Sequence, residues 1–273
     1  MKIAIQGELG SNSHMAVAQM MGLREAEIVA CTYSADVFER LREGAVDGAV
    51  LPIENSLHGA VAEHYDLLLE HPVRVAGETL LRIKHNVIAM PGVKLGEVRR
   101  VMSHPVALSQ CRKWLGAHRE LEAVPFYDTA GSVKSVMASG DRTAAGIATA
   151  KAAEEYGAEI LVADVGDNPE NFTRFFLLKS DVEGVAAEDG ANKLSVAFAI
   201  EHRPGSLVAA LARLAEVGVD LTKIESRPVP GRPWEYVFYV DVRFEGGAMA
   251  DSALLALAEH CSMVKELGRY RAA

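Results

Sequence analysis

The feature that most restricts how this chain folds is the grammar of its first 180 residues, where short apolar runs alternate with stretches of helical period. KIAIQG (2–7), EIVACT (27–32) and GAVLPIE (48–54) read as buried strands. Helices are expected over 14–21 and 35–43 and through 64–71. The stretch 73–90 reads as strand, turn, strand. Runs at 98–104, 121–126, 143–149 and 159–164 continue the series, and FTRFFLLKS (172–180) closes it. Strands separated by helices imply βαβ units and mostly parallel sheets, hence an α/β fold. The segment 182–193 is rich in Gly, Ala and charge and has no apolar period, so it reads as a linker. Beyond it the grammar changes to strand, helix, strand, strand, helix, strand. That βαββαβ order over roughly eighty residues is a ferredoxin-like sandwich.

Charge and cysteine usage exclude several functions. Lys and Arg number 28 against 37 Asp and Glu, a net charge of −9. A basic nucleic-acid stripe is therefore not expected, and any anion site must be built locally. The 3 cysteines, Cys31, Cys111 and Cys261, are far apart and form no Cys-x-x-Cys pair, and the 9 histidines form no metal-ligand spacing. Free thiols suit a reducing cytoplasm. There is no secretory signal pattern and no uncharged apolar run of ~18 residues. The expectation is a soluble cytoplasmic protein with no metal, no membrane and no nucleic-acid partner.

Polar groups gather where strands end, the edge at which open α/β sheets bind ligands. The turn GELGSNSHM (7–15) leaves backbone N–H groups at a helix start, with Ser11 and Ser13 beside them. It is either an anion site or an ordinary βα turn in which Ser13 caps the helix. In PIENS (52–56), Asn55 and Ser56 can bond a polar ligand without adding charge, or cap the next helix. SHPVALSQC (103–111) offers Ser103, His104 and Gln110, with Pro105 opening a helix. No acid partner at triad spacing and no nucleophile elbow accompany His104, so a serine hydrolase is rejected. DTAGS (128–132) is a second helix start, either anion-holding or only a cap. NFTRFFLL (171–178) is the most informative segment. In an ideal strand Thr173 and Phe175 share one face and Arg174 takes the other. A buried Arg is costly unless paired, so Arg174 meets either a ligand carboxylate or an acid such as Asp164 or Asp167.

Taken together and in order, GELGSNS, PIENS, SHPVALSQC, DTAGS, NFTRF and ESRP (225–228) resemble the motifs of the prephenate dehydratase family, including its arogenate-using relatives. The likeness covers nearly the whole chain. Departures are Ser11-Asn12 where the family usually has Thr and an aromatic, Val106 for a Gln, and Ser206 for an Ala. The resemblance implies a bilobal catalytic domain, similar to periplasmic binding proteins, over 1–181, with a second lobe at about 80–160. It implies an ACT regulatory domain over 194–273 and, with no mutase segment ahead of the first strand, a monofunctional enzyme.

The reaction implied is decarboxylating dehydration of prephenate to phenylpyruvate, water and carbon dioxide, in phenylalanine biosynthesis. Aromatisation of the ring drives it, so no cofactor is called for. The enzyme must bind a dianion and help a hydroxyl leave, which is general-acid work. The resemblance makes Thr173 the catalytic hydroxyl, Arg174 the carboxylate anchor and Phe175 a pocket wall. Ser11, Ser13, Asn55, Ser56, Ser103 and Gln110 supply further substrate contacts. An ideal pleat does not aim both Thr173 and Arg174 at one ligand, so a bulge or a strand end is required there. Phenylalanine is the implied effector, held by Gly205, Ser206, Leu207, Glu225 and Ser226 between ACT domains of a homodimer or homotetramer. Arogenate dehydratase, and a non-catalytic sensor of amino acids or anions, are the alternative readings.

Overall fold

The computed structural model describes residues 1–22, 26–181, 190–229, 231–232 and 234–273, so most of the expected linker (182–189) lies outside the described residues. The first stretch runs β1 (Lys2–Gln6), α1 (Asn12–Met21), β2 (Glu27–Cys31), α2 (Ser34–Arg42), β3 (Gly48–Asn55), β4 (Gly59–Ala60), α3 (Ala62–Glu70) and β5 (Val73–Arg82). It continues with β6 (Asn86–Ala89), β7 (Arg100–Ser103), α4 (Pro105–Ser109), α5 (Arg112–Ala117), β8 (Glu122–Pro125), α6 (Thr129–Ser139), β9 (Ala144–Ala148), α7 (Ala150–Tyr156), β10 (Glu159–Val162) and β11 (Phe172–Ser180). The last stretch is β12 (Lys193–Ala199), α8 (Ser206–Val217), β13 (Asp220–Pro228), β14 (Tyr236–Arg243), α9 (Gly247–Ala258) and β15 (Met263–Tyr270), the expected βαββαβ order.

These elements group into two compact units. One comprises 1–37, 50–59 and 80–175, and the other 38–49, 60–79 and 176–273. The strand path β2-β1-β3-β11-β5 forms one sheet, in which β1 and β2 are parallel, and β10-β6-β9-β7-β8 forms a second. In the second sheet β7 is parallel to β8 and β9, but β6 is antiparallel to both β9 and β10. Four strands of this sheet, β7, β8, β9 and β10, thus run the same way, as expected, and β6 alone is reversed. The crossover β9–α7–β10 leaves a gap between its two parallel strands, and β6 fills it in the opposite direction. β6 follows β5 through only residues 83–85, too short a link to hold a crossover helix of its own. Val87 and Ala89 of β6 pack with Val101, Ala145 and Ile147, whereas Ile88 packs with Ala130, Val133 and Ala152. Alternate residues thus enter two cores, which is why this strand is apolar throughout and not alternating.

In the other unit the strand order is β13-β14-β12-β15. Leu194, Val196 and Phe198 alternate along β12 and pack on Leu214 of α8, Leu257 of α9 and Val240 and Val242 of β14. The same unit contains α3 and most of β5. Arg227 grips Asp66 of α3 with two hydrogen bonds, Nε to Oδ1 at 3.1 Å and Nη2 to Oδ2 at 2.8 Å. Lys265 donates to the carbonyls of Leu68 (2.9 Å), Leu69 (2.9 Å) and His71 (2.8 Å), where α3 ends and its carbonyls lack helical partners. Burial pushes the Lys265 ammonium below its ordinary pKa, with Asp181 acting the other way. Lys193 pairs with the buried Glu78 of β5 at 3.0 Å. Among the described residues no helix is long and apolar enough to cross a membrane.

Candidate active site

The glycine-rich turn after β1 is closed by its own helix. Ser11, not Ser13, is the N-cap of α1, its hydroxyl accepting from the His14 N–H at 3.4 Å. Both serines are buried, so the turn offers less free polar surface than its composition suggests. The Gly10 N–H donates to His14 Nδ1 (3.0 Å), Thr149 Oγ1 donates to the Gly10 carbonyl (2.6 Å) and Tyr156 donates to the Leu9 carbonyl (2.9 Å). Gly10 has φ +80°, and a Cβ there would lie 2.7 Å from Ala152 Cα, so only glycine lets the turn approach α7 this closely. Glu8 accepts from Tyr127 (2.7 Å) and Lys134 (2.8 Å). Burial works to raise the Glu8 pKa, yet those two hydrogen bonds carry it below the ordinary carboxylate value.

The DTAGS start resolves to a cap. Asp128 accepts from the Gly131 N–H at 2.7 Å, so a carboxylate already occupies the N-terminus of α6. Burial raises the Asp128 pKa, against the lowering effect of the backbone N–H groups of Gly131, Ala130 and Glu8. Ser103, expected to touch substrate, is 0% exposed and donates to the Ile147 carbonyl at 2.6 Å. It ties β7 to β9, and its proton is committed to backbone. His104 caps α4, Nδ1 accepting from the Val106 N–H at 3.3 Å.

A polar cluster gathers where β3 ends and β11 begins. Asn55 is its hub. Asn55 Oδ1 accepts the Leu57 N–H (3.1 Å), and Asn55 Nδ2 reaches the Phe172 carbonyl (3.1 Å). Backbone groups have fixed polarity, so these two bonds set which end of the amide is oxygen. Asn55 Nδ2 also lies 2.7 Å from Asn171 Oδ1 and 2.9 Å from Thr173 Oγ1, so its two hydrogens are shared among three acceptors. Thr173 Oγ1 is therefore an acceptor from Asn55, and its own proton is left to be donated elsewhere. Gln110 Nε2 donates to Asn55 Oδ1 (3.3 Å), and Gln110 Oε1 takes the Asn171 amide (3.0 Å) and His85 Nε2 (2.8 Å). Ser56 secures the junction: its hydroxyl donates to the Glu170 carbonyl (3.1 Å) and accepts from the Phe172 N–H (3.0 Å).

Thr173 and Arg174 are the second and third residues of β11, at the strand end where the pleat is least binding. Both are buried, at 8% and 7% exposed. Asp164 lies 4.0 Å from Lys84, and Asp167 accepts the Lys113 N–H at 2.9 Å. Phe175, expected as a pocket wall, is 1% exposed and belongs to the core. The strand alternation placed it on the Thr173 side but could not tell a lined pocket from a sealed interior. Asn171 and His85 were missed as site residues. Asn171 stands directly before Thr173's strand, and His85 was the kind of isolated histidine that composition cannot distinguish from packing.

Burial is the first cause lowering the pKa of His14, His85 and His104. All three are thus held neutral near pH 7. Their folded pKa values lie below the unfolded value of about 6.5. Their stabilising effect is complete above that value and is lost as pH falls through the folded pKa values. Between pH 7 and 5.5, above most carboxylate titrations, Tm is expected to fall. A Tm constant across this window in a calorimeter contradicts the assignment.

In the C-terminal unit, Gly205 and Leu207 line a cavity of about 290 Å³ together with Arg203, Trp234 and Tyr236. Ser206 lines a neighbouring cavity of about 360 Å³ with Glu201, His260 and Cys261, and its buried hydroxyl has no hydrogen-bond partner. Glu225 and Ser226, on the edge strand β13, line neither of these cavities. Among the described residues no three metal-binding side chains cluster.

Comparison with known proteins decides the family. A profile described as prephenate dehydratase matches residues 3–183, and the Arabidopsis thaliana arogenate dehydratase/prephenate dehydratase 2, a chloroplastic protein, is 38% identical over 287 residues, covering 98% of this chain and 72% of that one. The chain belongs to the prephenate dehydratase family. It is a lyase of that family, as the ordered motifs implied. The L-phenylalanine complex of prephenate dehydratase from Arthrobacter aurescens superposes with a TM-score of 0.89 and 32% identity, over 99% of this chain and 90% of that one. A protein described as GqqA, a novel type of quorum quenching acylase, superposes equally, with a TM-score of 0.89 and 32% identity over 100% and 98% of the two chains.

Proposed function

We propose that this prephenate dehydratase family member dehydrates and decarboxylates prephenate to phenylpyruvate, with Thr173 donating to the departing ring hydroxyl. The observation that carries the reading is the polarity at Thr173: its oxygen accepts from Asn55, so its proton is available. A threonine hydroxyl is a weak acid, so it acts by oriented polarisation as the C–O bond breaks. The C–CO₂ bond breaks with it, carbon dioxide leaves, and the ring electrons complete the aromatic sextet. The hydroxyl leaves as hydroxide, hydrogen-bonded by Thr173, and becomes water by taking a proton from solvent. Arg174 is the anchor for a substrate carboxylate, a task suited to a guanidinium fork. Asn55 and Gln110, assigned to substrate by the motif, serve here to hold the threonine.

The effector assigned to the C-terminal unit is L-phenylalanine, and the unit is read as an ACT domain. Support comes from the βαββαβ order, the cavity at Gly205 and Leu207, and the L-phenylalanine bound in the Arthrobacter relative. Glu225 and Ser226 do not line that cavity and sit on an edge strand, which supports a site completed by a second copy in a dimer or tetramer.

Arogenate is the second substrate reading, supported by the 38% identity to a plant enzyme named for both substrates. Acylase activity, named for GqqA, has less support. Serine-based acyl transfer needs a base that takes the hydroxyl proton, and Ser103, beside His104, gives its proton to the Ile147 carbonyl.

Purified protein is incubated with prephenate and, separately, with arogenate, and the rates are compared with and without L-phenylalanine. Faster production of phenylpyruvate from prephenate, with a phenylalanine response lost in Leu207→Glu but basal rate kept, supports the assignment. Turnover of arogenate alone moves the substrate, and turnover of neither overturns the reaction.

A further inference from the structure

The amide chain at the active site does not end at Gln110. His85, 4% exposed, sits in the three-residue link between β5 and β6, and its Nε2 lies 2.8 Å from Gln110 Oε1. We propose that His85 is a positioning residue for the dehydration: through Gln110 and Asn55 it holds the Thr173 hydroxyl as a donor facing the substrate. The inference rests on the function assigned above.

The polarity of the chain can be worked outward from the backbone. The Leu57 N–H and the Phe172 carbonyl fix Asn55 with its oxygen toward Gln110 and its nitrogen toward Thr173. Gln110 must then present Nε2 to Asn55, which leaves its oxygen for His85. An amide oxygen only accepts, so His85 carries a proton on Nε2. Burial holds the imidazole neutral, and its hydrogen bond to Gln110 acts against that shift. A neutral ring with its proton on Nε2 therefore has its other nitrogen bare.

His85 itself is well placed to serve as the far anchor. Its carbonyl accepts the Val165 N–H at 2.8 Å, and the Gln110 carbonyl accepts the Asp167 N–H at 2.7 Å. Both ends of the His85–Gln110 bond are thus tied to the segment leading into β11. If the donor at 85 is removed, Gln110 Oε1 keeps only Asn171. Gln110 is then placed by Asn171 and Asn55 alone, and Asn55, whose polarity the Leu57 N–H still sets, is packed against a less firmly held amide. A Thr173 oxygen held by a less firmly placed Asn55 amide is less well aimed as a donor to the leaving group. A misplacement of about 1 Å at a reacting group costs on the order of 100-fold.

Three measurements test this on the full-length chain. Long-range ¹H–¹⁵N correlation at pH 7 is expected to show His85 as the Nε2–H tautomer, whether or not the protein is active, and an Nδ1–H tautomer or a charged ring overturns the proposal. His85→Leu is expected to lower kcat on the order of 100-fold while KM changes less than about twofold, the signature of a loss felt only in the transition state. His85→Gln places an N–H at the reach of Nε2 and is expected to recover most of that kcat. Wild-type kcat in His85→Leu overturns the proposal, as does a rise in KM with kcat unchanged. A His85→Gln variant that folds but stays as slow as His85→Leu reduces His85 to packing. Wild-type protein inert toward both prephenate and arogenate counts against the assigned reaction, and the tautomer still reports on the hydrogen bond.

Discussion

Thr173→Ala is expected to lower kcat on prephenate by about 100- to 1,000-fold, the range for removing one donor aimed at charge that develops in a transition state. The fold should survive. Asn55 Nδ2, which loses Thr173 Oγ1 as an acceptor, still has Asn171 Oδ1 at 2.7 Å and the Phe172 carbonyl at 3.1 Å. No buried donor is stranded, so the stability cost is about 1 kcal/mol or less. Thr173→Ser keeps the hydroxyl and loses only the methyl that stiffens its rotamer, and it should retain activity within about tenfold. Steady-state kinetics with circular dichroism on both variants distinguish chemistry from folding. Retention of most activity in Thr173→Ala would remove the hydroxyl from the mechanism and leave Arg174 as the residue to explain the buried strand end.

The largest structural effect is expected at Gly268→Ala. Gly268 lies on β15 with φ +155°, and a Cβ there would stand 2.1 Å from the Val75 carbonyl oxygen and 2.9 Å from Val75 N and C. Those are backbone atoms of β5 and cannot rotate away, so either strand must shift. Nearby, Lys193 pairs with the buried Glu78, and Lys265 holds the carbonyls that end α3. A shift of β15 would loosen contacts of these kinds. Overpacking and backbone strain together are expected to cost about 2–5 kcal/mol. At roughly 2–4 °C per kcal/mol for chains of this size, Tm falls on the order of 5–15 °C. Gly116→Ala is the control: Gly116 is inside α5 with nothing within 4 Å of the added carbon. There alanine should hold or raise Tm, with up to about 1 kcal/mol of stability gained from helix propensity. Equal Tm values for the two variants would show that β15 does not bear on β5.

Much of this chain was readable from local pattern. The strands at β1, β9 and β11 lie within the apolar runs that announced them, and β11 matches 172–180 at both ends. Period-2 and period-3.6 apolar repeats record burial directly, so they survive in sequence. The second sheet was harder. Nothing in NVIA states its direction, since β6 is buried on both faces and its neighbours β9 and β10 come from more than fifty residues away. The site divides the same way. Thr173 and Arg174 stood out because polar groups in an apolar strand are costly. Ser103 and the DTAGS turn stood out as polar groups at strand ends, yet Ser103 gives its proton to the Ile147 carbonyl and Asp128 caps α6.

What the sequence determined alone was the order of elements, the break before the last βαββαβ unit and, through six motifs in series, the family. Each depends on residues near one another along the chain. What only the tertiary structure decided was which of the polar residues are spent on backbone and which way the hydrogen bonds run from His85 through Gln110 and Asn55 to Thr173. Hydrogen-bond direction depends on which donor meets which acceptor within about 3 Å. Residues 55, 85, 110 and 173 meet only once the sheets have formed, and no local pattern carries that information.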